Sequence, residues 1–344
     1  MTINKTMKVW ELAEFGLKNL RLAEKPVPAP SAQQLLIRVK AVSLNYRDKL
    51  VVDGVYQPDL PLPAVPVSDF VGEVVATGAG VTRFTIGARV MGQFYTRWIG
   101  DETTPKSHDE RGPTLGTPLP GALAEYVVLD QQAAVAVPAY LSDAEASTLP
   151  IAALTAWSAL VEDGQLKPDQ TVLVQGTGGV AIFAIQIASA LGARVIATSS
   201  SDSKLARAKA LGARDGINYS ETPDWEQRAL ELTKGRGVDH VIEVVGGPSL
   251  RRSIAAVAPA GHIALVGMLD DLEASIPIIP MLIKQVRIHG QSVGHRNAFE
   301  AMNRFFEQHQ IHPVIDTVYP FQDAIAAFEH LARGALGKVV VSLA

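Results

Sequence analysis

The sequence predicts a two-domain α/β protein: a mainly antiparallel β region, then a parallel sheet wrapped by helices, then a tail returning to the first region. Three observations carry this. Between about residues 142 and 290, short apolar strands alternate with helical stretches, the pattern of right-handed βαβ crossovers. Before it, strands are short and broken by proline and glycine. The chain also has 344 residues, more than one compact core usually organises.

In the first region, residues 35–39 and 70–75 read as strands, while the proline-dense stretches 26–30 and 58–66 suit loops and edges. In the second, strands are expected at 171–174, 194–198, 240–244, 262–266 and 286–289. Helices are expected at 180–191, 204–211 and 249–257. The tail holds amphipathic helices near 298–308 and 321–333 and closes on a strand at 337–342. That strand is expected to join the first domain, because the second has its strands already. The expected divisions are 1–137, 138–293 and 294–344.

Composition narrows the function. Net charge is −4 with no lysine- or arginine-dense block, which argues against a nucleic-acid surface. The N-terminal residues carry no apolar run of a signal sequence. The uncharged stretch 171–193 is long enough to span a bilayer. It contains Gln175, Gly176, Gly178, Gly179 and Gln186, so it reads as strand, turn and buried helix. A cytoplasmic protein with no membrane partner is the expectation. There is no cysteine, which removes disulfides and every cysteine-ligated metal site.

The strongest local signal is Gly176-Thr177-Gly178-Gly179-Val180-Ala181, a turn leaving a buried strand and opening a helix. Gly176 permits the tight turn and Gly178 a close approach of backbone to a pyrophosphate. Ala181 is small enough for close helix–strand packing. The helix N-terminus then offers free N–H groups and a positive dipole end to the phosphates. At the end of the next strand an NAD site usually has an acid for the ribose 2′-hydroxyl. Ser199 stands there, followed by Ser200 and, on the next helix, Lys204. Hydroxyls and a cation welcome a 2′-phosphate, so the expected cofactor is NADP(H). The serines are equally suited to capping the helix near Lys204. Val245, Gly267 and Met268 lie at strand ends, where the nicotinamide end belongs.

The chain resembles the medium-chain dehydrogenase/reductase superfamily over nearly its full length, and most of all its zinc-independent, quinone-oxidoreductase-like branch. The resemblance is carried by Ser43-Leu44-Asn45-Tyr46-Arg47-Asp48, by Pro66-Val67-Ser68-Asp69-Phe70-Val71-Gly72-Glu73-Val74, and by Gly121-Ala122-Leu123-Ala124-Glu125-Tyr126-Val127. Leu149-Pro150-Ile151-Ala152-Ala153-Leu154-Thr155-Ala156-Trp157, the glycine turn and Gly337-Lys338-Val339-Val340 follow in the family's order. It implies a GroES-like N-terminal domain, a Rossmann domain for the cofactor, an active site in the cleft between them, and a homodimer or tetramer. It also implies that Ser292, Val293 and Lys338 touch cofactor or cleft, and that Tyr219 lies near the adenine or phosphate end.

The zinc-dependent relatives place a cysteine where Asn45 stands, a histidine where Ser68 stands, and a further cysteine near Ala152 or Ala153. Only Asp69 matches the acid of their Gly-His-Glu motif. The structural-zinc region, 97–120, is a polar loop here. Without a metal, charge growing on an acceptor oxygen must be met by hydrogen-bond donors in a water-poor site. The matching motifs nominate Asn45, Tyr46, Tyr56 and Ser68, although Asn45 is equally suited to bracing its loop. Quinones and α,β-unsaturated carbonyls accept hydride with modest polarisation, so reduction of one of these small acceptors is expected. Alcohol or aldehyde oxidoreduction, and NADPH binding without turnover, are the alternatives.

Overall fold

The computed structural model describes residues 5–100, 107, 109–267 and 269–343. Met268, one of the expected cofactor residues, lies outside them. The chain divides into two compact units, Met1–Ile151 with Gly294–Ala344, and Ala152–Val293. The crossing falls at Ile151/Ala152 rather than at 137/138. Residues 138–151 pack with the first unit: the Tyr140 hydroxyl donates to the carbonyls of Phe306 (3.0 Å) and Ile311 (2.6 Å).

The first unit begins with a hairpin-like pair, β1 (Thr6–Leu12) and β2 (Leu20–Pro26). Its main sheet holds β3 (Gln34–Leu44), β4 (Asp69–Thr77), β5 (Arg89–Gly92), β6 (Tyr126–Asp130) and β7 (Ala134–Ala136). The second unit is a six-stranded parallel sheet of β8 (Thr171–Gln175), β9 (Arg194–Ser199), β10 (Asp215–Asn218), β11 (Val238–Glu243), β12 (Val257–Leu265) and β13 (Arg287–Gly290). The tail adds β14 (Ile315–Pro320) and β15 (Lys338–Ser342) to the first sheet, in the order β14-β15-β3-β4-β5-β7, with β6 also on β3. The expected return of the last strand is therefore seen, with Val339 paired to Leu44.

The second sheet runs β10-β9-β8-β11-β12-β13, so the order reverses direction beside β8, where the glycine turn begins. Its central strands are buried on both faces, which explains their near-continuous apolar sequence. Helix Gly179–Ala190 buries seven side chains, including Ala181 at 2% exposure, consistent with close packing on the sheet. On the opposite face Leu173, Val241 and Ile263 pack with Trp225, Leu250 and Ile254. In the first unit Phe70, Ile37, Val339 and Phe328 belong to one core. Each such buried side chain contributes about 1.5–3 kcal/mol of transfer free energy.

Several elements differ from expectation. β10 and β14 were not foreseen: Asp215-Gly216-Ile217-Asn218 has a single apolar residue, and β14 alternates half-buried with exposed positions. β12 starts at Val257, where a helix residue was expected, because the preceding helix stops at Ala256. Helices Trp225–Leu232 and Ile278–Lys284 are also additional.

Candidate active site

In the second unit, Gln175 ends β8 and Gly176 turns the chain with φ +75°, a left-handed conformation that glycine adopts without strain. Its N–H donates to Thr198 Oγ1 (3.4 Å), tying the turn to β9. Thr177 is buried, Gly178 is exposed, and Gly179 and Val180 open the helix half-exposed. Among the described residues nothing lies within 4 Å of where a Gly178 Cβ would stand, which leaves a phosphate open space at the helix start. These residues fit a dinucleotide: first-turn N–H groups without carbonyl partners, reached over a surface without side chains.

Ser199 ends β9 and is buried; its Oγ accepts from Ser201 N (3.4 Å). Ser200 is exposed. Lys204 lies in the first turn of helix Asp202–Ala210, half-exposed, its ammonium without an ion pair among the described residues. Tyr219 is 43% exposed, and its backbone N–H donates to Ser199 O (3.0 Å), bringing the ring's residue beside the serines. The nearby Asp202 carboxylate accepts from Asn218 Nδ2 (2.9 Å).

At the other strand ends, sequence reasoning missed Glu243. It is wholly buried at the end of β11. Oε1 accepts from the N–H groups of Val245 and Gly246 (3.1 Å each), and Oε2 from Gln175 Nε2 (2.8 Å), Ser249 Oγ (3.2 Å) and Ser253 Oγ. One carboxylate thus shapes the Val245 loop and ties it to the glycine turn. The signal was available as an acid closing an otherwise apolar run. Gly267 packs so closely on the Val244 backbone that a Cβ would clash. Ser292 is half-buried; Val293 has φ +56°, strained for a β-branched residue.

In the first unit, Asn45 caps helix Tyr46–Val52 and is 8% exposed. Its Nδ2 donates to Asp69 Oδ2 (2.9 Å), and its Oδ1 accepts from Lys338 Nζ (2.6 Å). Lys338 is buried and also donates to Leu44 O (2.8 Å). The resemblance implies Lys338 at the cofactor or the cleft; its ammonium holds the Asn45 amide. Asp48 is fully buried: Oδ2 accepts from Asn45 N (2.8 Å), and Oδ1 from Arg47 Nη1 (3.2 Å) and, at 3.4 Å, Ser68 Oγ. Arg47 lies over the ring of Tyr56 (4.6 Å) and that of Phe94 (5.2 Å), with Nε and Nη2 unpartnered among the described residues. Tyr46 and Tyr56 are 40% and 37% exposed. Ser68 is buried and follows Val67, whose φ of +76° is a second strained β-branched position.

Burial dominates the electrostatics. Loss of water pushes the Asp69 carboxyl up to about 7, although Lys338 and Asn45 pull it down. Burial also depresses the Lys338 ammonium below its usual range, against the pull of Asp69 and Asp48.

Residues 31–139 match the alcohol dehydrogenase GroES-like domain family, and residues 179–308 the zinc-binding dehydrogenase family. A zinc-type alcohol dehydrogenase-like protein of Schizosaccharomyces pombe is 40% identical, over 95% of this chain and 96% of that one. The chain belongs to the medium-chain dehydrogenase/reductase superfamily. Members of this superfamily use a nicotinamide cofactor, and the chain is an oxidoreductase of that family. The crystal structure of a candidate alcohol dehydrogenase from Sinorhizobium meliloti 1021 matches with TM-score 0.94 at 46% identity, covering 99% of this chain and all of that one. A quinone oxidoreductase from Pseudomonas syringae matches with TM-score 0.81 at 29% identity, covering 98% and 99%.

The family name implies zinc, but the residues at the matching positions do not fit it. A catalytic zinc needs about three nitrogen, sulfur or carboxylate ligands. Asn45, Ser68 and Asp69 offer one carboxylate, and an ammonium lies 2.6 Å from the Asn45 oxygen. Among the described residues no group of three or more His, Cys, Asp or Glu is placed to hold a metal.

Proposed function

We propose that the protein is a cytoplasmic, zinc-independent, NADP(H)-dependent reductase of small activated acceptors, quinones or α,β-unsaturated carbonyls. The observation that carries this reading is the Asn45–Lys338–Asp69 array at the family's metal position: it offers hydrogen bonds, not a Lewis acid. Hydrogen bonds suffice where the acceptor is already electrophilic. Bound NADPH would supply the hydride to the acceptor's carbon. An Nδ2 hydrogen of Asn45 and the Tyr46 and Tyr56 hydroxyls are the donors available to the acceptor oxygen. With no side chain assigned as the acid, the proton that completes reduction comes from solvent. Ser200 and the unpaired Lys204 ammonium support the 2′-phosphate.

The test is oxidation of NADPH and NADH, side by side, with a small quinone, an enone and an aldehyde, with and without chelator. Chelator-insensitive turnover of NADPH with the quinone or enone is expected. Turnover with NADH alone overturns the phosphate site, and loss on chelation overturns the metal-free mechanism. The names of the relatives favour a second reading, alcohol or aldehyde oxidoreduction; its signature is simple-alcohol oxidation that survives chelator.

We further propose that two copies associate through the face around helix Ile278–Lys284 and the open edge of β13.

A further inference from the structure

We propose that Lys338 is a positioning residue for the acceptor reduction proposed above, on which this inference rests: its buried ammonium fixes the Asn45 amide in a single orientation. An asparagine amide can present its oxygen or its nitrogen with similar shape. Here the choice is made by charge. Oδ1 faces the ammonium at 2.6 Å and Nδ2 faces the Asp69 carboxylate at 2.9 Å. Turning the amide over would set N–H against ammonium and oxygen against carboxylate, losing two charge-assisted hydrogen bonds. The remaining Nδ2 hydrogen is thereby held as a donor at the position where the zinc relatives carry a metal ligand.

The cation is itself fixed. Lys338 opens β15, next to Val339 in register with Leu44, and its second hydrogen bond is to Leu44 O. The charged groups facing this point are Arg47 and Asp48 from helix Tyr46–Val52, Asp69 from β4 and Lys338 from β15, two of each sign. Burying such a set costs desolvation that apolar side chains of similar volume would avoid. A structural role alone is therefore a poor account of it, whereas a fixed amide donor requires both signs of charge beside it.

The obvious variant, Lys338→Met, leaves Asp69 buried and unpaired and risks misfolding. The informative protein is Lys338→Met/Asp69→Asn, which removes both charges together. We expect it to fold, to bind NADPH within twofold of wild type by fluorescence titration, and to lose kcat tenfold or more, with a smaller change in acceptor KM. Asn45→Ala should cause a similar loss, and adding it to the double variant should cost little more. A readout independent of turnover is the side-chain amide of Asn45 in protein labelled with 15N-asparagine, identified by its disappearance in Asn45→Ala. Its two protons should be well separated and slow to exchange in wild type, and averaged or fast to exchange in the double variant.

Wild-type kcat in the double variant, additive losses, or an unchanged Asn45 amide signal would each overturn the role of Lys338. If wild type reduces no acceptor, the functional reading fails instead. The amide signal still decides whether Lys338 orients Asn45.

Discussion

At the scale of single residues, the buried carboxyl of Asp69 makes a measurable statement about pH. It releases its proton near the ordinary 3.8 in the unfolded chain and near about 7 in the folded one, chiefly because burial disfavours the charge. The folded state holds the proton more tightly, so this group favours folding below the unfolded value. That contribution is lost as pH rises through the folded one. Asp69→Asn removes the dependence. The melting temperature of the variant relative to wild type should therefore climb from pH 4 to about pH 7 and then level. Parallel curves would mean that the carboxyl titrates normally. Legibility at this scale was uneven for a physical reason. Gly176, Asn45 and Ser68 announce themselves by local pattern. The partners of Lys338, Gln175 beside Glu243 and Ser68 beside Asp48 are set by long-range contacts, such as β15 against β3, which no local window contains.

At the scale of elements, the parallel sheet was readable because its central strands are buried on both faces and its crossovers are helical. β10 escaped because a short strand with one apolar residue has no periodicity to detect. Within β11 and β12 the register sets His240 beside His262, rings 5.7 Å apart. Burial chiefly, with help from Arg287, depresses both to about 4, against the pull of Asp239 at His240; His240 and His289 contribute at His262. Unfolded histidine takes up a proton near 6.5 while these folded ones do so near 4. Stability is thus complete above 6.5 and falls as pH drops toward 4. Among the described residues His262 also leaves both ring nitrogens buried without a partner, and each such group costs roughly 1–3 kcal/mol. His262→Leu should raise the melting temperature at pH 7 and flatten its fall between pH 6.5 and 4. A lower melting temperature at pH 7 would show that the ring's packing outweighs its unsatisfied nitrogens.

At the scale of the whole molecule, the second unit carries a surface that one chain leaves open. Ile278, Ile279, Leu282 and Ile283, all on helix Ile278–Lys284, are 69%, 65%, 68% and 76% exposed, and Leu272 nearby is 77% exposed. A soluble monomer seldom shows so much contiguous apolar surface. β13 follows this helix directly and, among the described residues, pairs on one side only, with β12, so backbone donors and acceptors lie open beside it. In the association proposed above, a second copy related by a two-fold axis would satisfy both requirements: apolar helix faces would cover each other and the two edge strands would pair. Leu282→Glu/Ile283→Lys places charges of both signs on that face without touching any residue assigned to cofactor or acceptor. By light scattering at micromolar concentration, wild type should have twice the chain mass or a multiple of it. The variant should fall to the single-chain mass while still binding NADPH. Wild type at single-chain mass would overturn the interface. A variant that keeps the wild-type mass would place the contact on another face.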